Sequence, residues 1–294
     1  MRILSLNAWG GLLYDRLVPW LVETDADVIC LQEIVRTPKV DADWLEYRDG
    51  DMVLQQRPNL YDDLATALSG HAGFFCPASR GDLFDGETRH TSEFGLATFV
   101  RRSLPIVGQA LDFVHGEFSA DGWGEHPRAR NAHCVRLFDP RTGATMTVAH
   151  MHGLRDLRGK IDTPERAAQA RAFAGLMGRI HRPGEPLVAC GDFNVLPDSE
   201  TLAVLARLGL SDLVTGRGFT DTRTSYYRKE GRFADYMLVT PQVNVGAFDV
   251  VADPEVSDHR ALLLDLASSW LRCVARPGNV WSLLGCVGPA TLIP

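Results

Sequence analysis

The segment GDFN at residues 191–194 places an acid and an amide two positions apart. The apolar run 187–190 precedes it and predicts a buried strand. Because residues two apart on an extended segment point the same way, Asp192 and Asn194 should share a face while Phe193 turns into the core. A carboxylate beside an amide that both donates and accepts hydrogen bonds suits a charged, oxygen-rich substrate near a metal or a water. A polar turn after a strand would give the same pattern, so the rest of the chain must decide.

Polar residues stand in or beside several other apolar, strand-like runs. They are Asn7 after 3–6, Glu33 closing 27–33, His152 closing 144–152, Asp258 and His259 before 261–266, and Asp235 within 233–239. Buried ionisable groups cost free energy unless they are paired or bind a metal. The recurrence of this arrangement in separate segments predicts one cleft at one end of the sheets.

The remaining pattern predicts the elements that must position these side chains. Helical spacing or capping residues predict helices over 13–21, 60–68, 163–180 and 202–208, and apolar runs predict further strands at 95–100 and 132–137. Residues 35–60 are polar and are predicted to be looped. Strands that alternate with a few helices indicate an α/β (α+β) sandwich of two packed sheets with helices outside.

Composition limits the possible functions. The chain has 294 residues, is 45% hydrophobic and carries a net charge of −7, which is ordinary for a soluble globular protein and disfavours a broad basic face for nucleic acid. A metal ion could still supply local positive charge in an acidic cleft. Cys30, Cys134 and Cys190 lie in apolar runs and are predicted to be small buried hydrophobes, without a zinc site or disulfide framework. The N-terminal apolar run is too short for a signal peptide, so a cytoplasmic location is expected. The uncharged stretch 277–294 is shorter than the roughly 20 apolar residues of a membrane helix, so stable membrane insertion is not expected. The protein is also expected to be a monomer.

The segments SLNAWG, LQE, GDFN and SDH occur in that order and together resemble the endonuclease/exonuclease/phosphatase superfamily, whose best-known member is deoxyribonuclease I. The resemblance covers about residues 1–268 and implies one catalytic domain with a four-layer α/β sandwich fold. It also implies divalent-metal-dependent hydrolysis of phosphate esters at the mouth between the two sheets. Residues 269–294 lie beyond it and are predicted to be an appendage that is loosely packed or disordered.

The resemblance also implies roles for individual residues. Glu33 matches the metal-binding glutamate, Asn7 the asparagine beside it, and Asp258 a metal or water contact, with Mg²⁺ or Mn²⁺ as the cofactor. Asp192 and Asn194 match the residues that orient or deprotonate the attacking water and hold the phosphate. His259 matches the catalytic histidine and Asp235 its acidic partner. A carboxylate on one imidazole nitrogen is expected to favour the imidazolium cation.

A second acid–histidine pair is implied by weaker matches. His152 aligns with the family's other histidine, and Glu93 falls where that histidine's acidic partner is kept. Arg130 resembles a phosphate-contacting arginine. His150 shares a face with His152 by the two-residue period of a strand, so either histidine, or both, could face the cleft.

Four hypotheses for function remain open at this point. The first is a magnesium- or manganese-dependent phosphodiesterase or phosphatase. The second is a nuclease acting on DNA or RNA, and the third is a sphingomyelinase-like hydrolase that binds a phospholipid headgroup. The fourth, from a different class, is a catalytically inactive binding protein on the same fold. The presence of Glu33, Asp192 and His259 favours an enzyme.

Overall fold

A computed structural model of the protein describes residues 1–271. In chain order the strands are β1 (Arg2–Asn7), β2 (Val28–Arg36), β3 (Leu45–Asp49), β4 (Met52–Gln56), β5 (His71–Asp85), β6 (Thr88–Arg101), β7 (Ile106–His115), β8 (Arg130–Asp139), β9 (Ala144–His152), β10 (Leu187–Asp192), β11 (Ser211–Asp212), β12 (Asp235–Val239), β13 (Val243–Val250) and β14 (Leu262–Leu271). The helices are α1 (Tyr14–Glu23), α2 (Leu60–Ala67), α3 (Pro164–Ile180), α4 (Glu200–Ala206) and α5 (Leu213–Gly216). The predicted appendage lies almost entirely outside the described residues.

The strands form two sheets. The larger has the order β13-β14-β1-β2-β6-β5-β3-β4, and the smaller has the order β11-β12-β10-β9-β8-β7. One apolar cluster, which includes Ile3, Cys30 and Val188, fills the space between the sheets. A second packs α1 and α2 on the larger sheet, and a third packs α3 and α4 on the smaller one. The predicted four-layer sandwich is therefore confirmed, and Cys30, Cys134 and Cys190 are buried as predicted.

The strand pairing explains why polar residues from distant segments meet. β1 runs parallel to β2, and β9 runs parallel to β10. Parallel neighbours end at the same edge of a sheet, so Asp192 lies directly opposite His152 in the register. β12 is antiparallel to β10, and its first residue, Asp235, also lies opposite Asp192. The ends of β9 and β10 and the start of β12 therefore meet at one end of the sandwich.

Several strands differ from the prediction. The segment 35–60, expected to be looped, contains the hairpin of β3 and β4, and no prediction covered β5, β7 or β13. β4, β7 and β13 lie at sheet edges, where fewer side chains are fully buried. Their sequences therefore lack the continuous apolar runs of central strands. Within residues 1–271, no helix is long and apolar enough to span a membrane.

Candidate active site

A cleft of about 780 Å³ opens at the end of the sandwich where the polar residues meet. Six of the residues predicted from the sequence line it: Glu33, His152, Asp192, Asn194, Asp258 and His259. Asn7 and Asp235 are buried and bond directly to residues of this lining. The predicted convergence on one cleft is therefore seen for eight residues from six segments of the chain.

The acid–imidazole pair of His259 and Asp235 is formed. His259 Nδ1 lies 2.9 Å and 2.8 Å from the two carboxylate oxygens of Asp235, and both side chains are buried. Since the carboxylate accepts a hydrogen bond from Nδ1–H, the ring is fixed in one orientation with Nε2 turned towards the cleft. Nε2 lies 3.6 Å from Asp192 Oδ2.

The charge state of this pair differs from the expectation. Burial, reinforced by Arg223, lowers the pKa of His259 to about 4. Burial also raises the pKa of Asp235 to about 7. Both shifts arise because burial disfavours the charged form. The structure therefore favours a neutral imidazole instead of the expected imidazolium, because burial and the nearby Arg223 outweigh the carboxylates of Asp258 and Asp192, which raise the pKa of His259.

Arg223 is a site residue that the sequence interpretation missed. Its Nη1 donates a hydrogen bond to Asp258 Oδ2 at 2.9 Å and another to His259 Nε2. Arg223 belongs to no recognised motif and lies in the irregular segment before β12, so periodicity carries no signal for it. The one available signal is its short distance along the chain from the segment that carries Asp235.

The GDFN segment holds its two polar side chains by local hydrogen bonds. Asp192 Oδ1 accepts the backbone N–H of Asn194 at 2.9 Å, and Oδ2 accepts Asn7 Nδ2 at 3.1 Å. Asn194 adopts φ of 54°, and its Nδ2 donates to Gly153 O at 3.2 Å. Phe193 is fully buried against helix α3 and strand β12, as predicted.

Gly153 allows the chain segments around GDFN to approach closely. A Cβ at this position would lie 2.2 Å from Phe193 O, so a larger residue would push the segments apart. The carbonyl of Gly153 also accepts a hydrogen bond from Arg130 Nε at 3.0 Å. Arg130 thus supports the backbone behind the cleft, and burial lowers its pKa to about 10.

Glu33 reaches the cleft because β2 is irregular at that point. The register between β2 and β6 shifts between Leu31 and Ile34, and Glu33 adopts φ of 56°. Such a bulge inserts one extra residue and re-aims a side chain. Glu33 Oε1 lies 3.8 Å from His152 Nε2, and burial raises the pKa of the glutamate. The prediction had ended the strand at Glu33, whereas β2 continues to Arg36.

A sequence model of the Endonuclease/Exonuclease/phosphatase family matches residues 4–259. The chain belongs to this family. Its members are hydrolases that act on phosphate esters, and every predicted site residue lies within the matched range.

Solved structures of family proteins share the fold. A Bacteroides vulgatus endonuclease/exonuclease/phosphatase has a TM-score of 0.62 at 17% identity, over 90% of this chain and 98% of its own. A mannosyl-6-phosphatase from Bacteroides thetaiotaomicron has a TM-score of 0.64 at 17% identity, over 91% and 99%. The catalytic domain of human Nocturnin, solved with a bound sulfate anion, has a TM-score of 0.59 at 19% identity, over 91% and 93%. No curated protein sequence matches the chain.

Three further predicted residues do not line the cleft: Arg130, which was expected to contact the phosphate and bonds instead to the backbone behind the cleft, His150 and Glu93. His150 is buried between the sheets, where its Nε2 lies 2.7 Å from Thr98 Oγ1 and its Nδ1 lies 3.4 Å from Gln32 Nε2. It therefore does not line the cleft, because the shared strand face continues into the intersheet core. Glu93 forms no ion pair with His152 among the described residues; the neighbouring Phe94 contacts that histidine, with ring centroids 6.3 Å apart.

The donor set of the cleft fits a divalent cation. Glu33, Asn7 and Asp258 offer oxygen atoms, which Mg²⁺ and Mn²⁺ prefer. Asp258 Oδ1 is buried without a hydrogen-bond partner, and burial raises the pKa of Asp258, with the Glu33 charge adding to that increase. A cation would relieve both costs. Asp192, Asp235 and His259 also lie close enough together to hold a metal, but Asp235 and His259 already bond to each other.

Proposed function

We propose that this family member is a divalent-metal-dependent hydrolase of phosphate esters. The observation that carries the proposal is the convergence, in one cleft, of the buried His259–Asp235 pair with Asp192, Asn194 and Glu33. An inactive binding protein would have no need to bury so many ionisable side chains against one another, since each costs free energy.

The residues divide into distinct roles in this proposal. His259 Nε2, neutral and turned to the cleft, accepts a proton, and Asp235 stabilises the imidazolium that results. Asp192 orients the attacking water, and its own position is fixed by Asn7 and by the backbone of Asn194. Glu33, Asn7 and Asp258 would hold the metal. A divalent ion there would polarise a phosphoryl oxygen and neutralise developing charge.

The experiment uses two chromogenic substrates, p-nitrophenyl phosphate and bis(p-nitrophenyl) phosphate. We expect hydrolysis of at least one with Mg²⁺ or Mn²⁺, loss of activity after chelation, and recovery when metal is returned. Asp192→Asn, which keeps the side-chain shape, should abolish most of the rate. Its amide can accept only one of the two hydrogen bonds that Asp192 accepts, so the melting temperature is measured beside the rate to show that the variant is folded. Turnover that survives exhaustive chelation would refute metal dependence, and a parent protein inactive on both substrates and on a wider phosphate-ester panel would refute the enzyme.

One observation favours a lipid phosphodiester among the possible substrates. Leu157, Leu196 and Tyr226 line the cleft and are 74%, 38% and 37% exposed. Arg155 and Lys229 line it too, and among the described residues neither has a carboxylate within ion-pair distance. Exposed apolar side chains beside cations suit the boundary between a phosphate headgroup and hydrocarbon. Competition assays with phosphatidylcholine vesicles, sphingomyelin vesicles and single-stranded DNA test this choice, and preference for DNA would overturn it in favour of a nuclease.

A further inference from the structure

Arg223 lies in the wall of the cleft, beside the proposed base His259. Its side chain is buried yet forms part of the cleft wall, and one nitrogen, Nη1, makes both of its side-chain hydrogen bonds. Nε is buried without a partner, and Nη2 bonds to no residue in the part of the chain that the structure describes. A guanidinium has five N–H donors in a planar fork, so most of this group's donors are unused.

A second cation shares the same wall. Lys160 Nζ lies 5.6 Å from the ring centroid of Tyr227, and the guanidinium carbon of Arg223 lies 4.4 Å from it. Lys160 is held in place by hydrogen bonds to the carbonyls of Gly231 and Phe233. Burial, with a contribution from Arg223, lowers the pKa of Lys160 to about 8. Two partly desolvated cations on one aromatic ring are stabilised when an anion joins them.

The contact between Arg223 and His259 has a mechanistic cost. Nε2 of His259 is the nitrogen that must accept a proton in the proposed reaction, and Arg223 occupies it. A guanidinium bonds more strongly to phosphate oxygens than to a neutral imidazole, because charge-assisted, bidentate contacts are available. Arrival of a phosphate group therefore gives Arg223 a better acceptor and leaves Nε2 free.

We propose that Arg223, assisted by Lys160, binds the phosphate group of the substrate and in doing so exchanges its hydrogen bond from His259 Nε2 to a phosphoryl oxygen. This deepens the proposed function and rests on it. It assigns Arg223 as a catalytic residue that touches the substrate. Access of the base to water is then coupled to occupancy of the phosphate subsite, so the free enzyme keeps its base covered.

The test compares Arg223→Met with Arg217→Met, an exposed arginine of the preceding segment that lies outside the cleft. In Arg223→Met we expect kcat/KM to fall about 10²- to 10³-fold, as when one donor to a developing oxyanion is removed. Binding of inorganic phosphate, measured by titration calorimetry with metal present, should weaken at least about 10-fold. Arg217→Met should leave both quantities unchanged.

Two further variants separate binding from support of the fold. Arg223→Lys keeps the charge without the fork and should recover phosphate affinity more than rate. Arg223→Ala should regain activity when low concentrations of guanidinium, but not of methylammonium, are added. Unchanged phosphate affinity together with no rescue would show that Arg223 only holds Asp258 and His259, which overturns the proposal. If the parent hydrolyses no ester, the proposed function fails, while the calorimetric comparison still decides whether Arg223 binds phosphate.

Discussion

The protein buries two pairs of histidines in different surroundings. His133 and His150 lie between the sheets, on either side of Thr98, at 2.6 Å and 2.7 Å from its hydroxyl. His152 and His259 lie at the cleft, where carboxylates of Glu33, Asp192 and Asp235 approach within 4 Å. Burial lowers the pKa in all four rings. A lowered pKa therefore does not distinguish the cleft histidines from the intersheet pair; nearby carboxylates and a position at the cleft do.

The largest expected effect comes from the pair of His259 and Asp235. His259→Ala should lower kcat by about 10²- to 10⁴-fold, the range for losing a general acid or base. Asp235→Asn should cost less, because the ring remains but loses its fixed orientation and charge support. The double variant should be little worse than His259→Ala, since residues that act as one unit are not additive. Steady-state rates for the three variants decide the matter: losses that add in log rate would show independent roles, and His133→Gln serves as the buried control.

Metal binding should depend on the carboxylate beside His152. Glu33→Gln keeps the shape but removes the charge, so affinity for Mg²⁺ or Mn²⁺ should fall by more than the roughly 10- to 100-fold lost when a group that merely orients a ligand is removed. Calorimetric titration with the metal measures this affinity directly. Glu93→Gln is the control, because it makes the same change at an acid outside the cleft wall. Equal metal affinity in Glu33→Gln and the parent would remove Glu33 from the ligand set.

Protonation of the intersheet pair, His133 and His150, should destabilise the protein in acid, and His133 gives the clearest case. Burial lowers its pKa from 6.5 to about 4, so below pH 6.5 the unfolded state binds more protons than the folded state. Stability linked to this group is fully present above pH 6.5 and is lost as the pH falls towards 4, by about 2 kcal/mol between pH 7 and pH 5. In His133→Phe, the free energy of unfolding, measured with urea, should therefore fall less between pH 7 and pH 5 than it does in the parent. An identical pH slope in parent and variant would contradict the assignment.

The smallest effect is expected at Glu93. The residue is half-buried on β6, opposite Arg36 and Arg80 in the register, and it does not pair with His152. Glu93→Gln should change kcat/KM by less than about two-fold, as for substitutions away from a site. A loss comparable to that of Asp235→Asn would restore Glu93 as the second acidic partner.

The central strands and most of the cleft were predictable from the sequence because their signals are local. Apolar runs such as 187–190 end in polar residues, and the parallel register then brings those ends together. β7 was missed because its side chains alternate between half-buried and exposed, so it lacks a continuous apolar run. His150 was ambiguous for a related reason: the two-residue period gives the face of a strand but not the depth along it.

Arg223 and the charge state of His259 could not be predicted from the sequence because both depend on tertiary contacts. Arg223 lies in an irregular segment, and its partners Asp258 and His259 follow 35 and 36 residues later. The resemblance supplied an acid for His259 but not a cation for the other ring nitrogen. Burial, the cations Arg223 and Lys160, and the carboxylates of Asp258 and Asp192 together set the pKa of His259, and only the folded chain brings these groups together.

The bulge at Glu33 positions a side chain in the cleft but is not needed for the pairing of β2 with β6, which bears on how the chain can change over evolution. β2 pairs with β6 on both sides of the extra residue, at Val28–Leu31 and at Ile34–Arg36. Deletion of one residue there would give a regular ladder and retain those pairings, yet it would turn the side chain at that position to the opposite face. A single codon lost from this strand would thus leave a folded domain without the glutamate that we propose as a metal ligand. The position offers a short route from an enzyme to a non-catalytic relative.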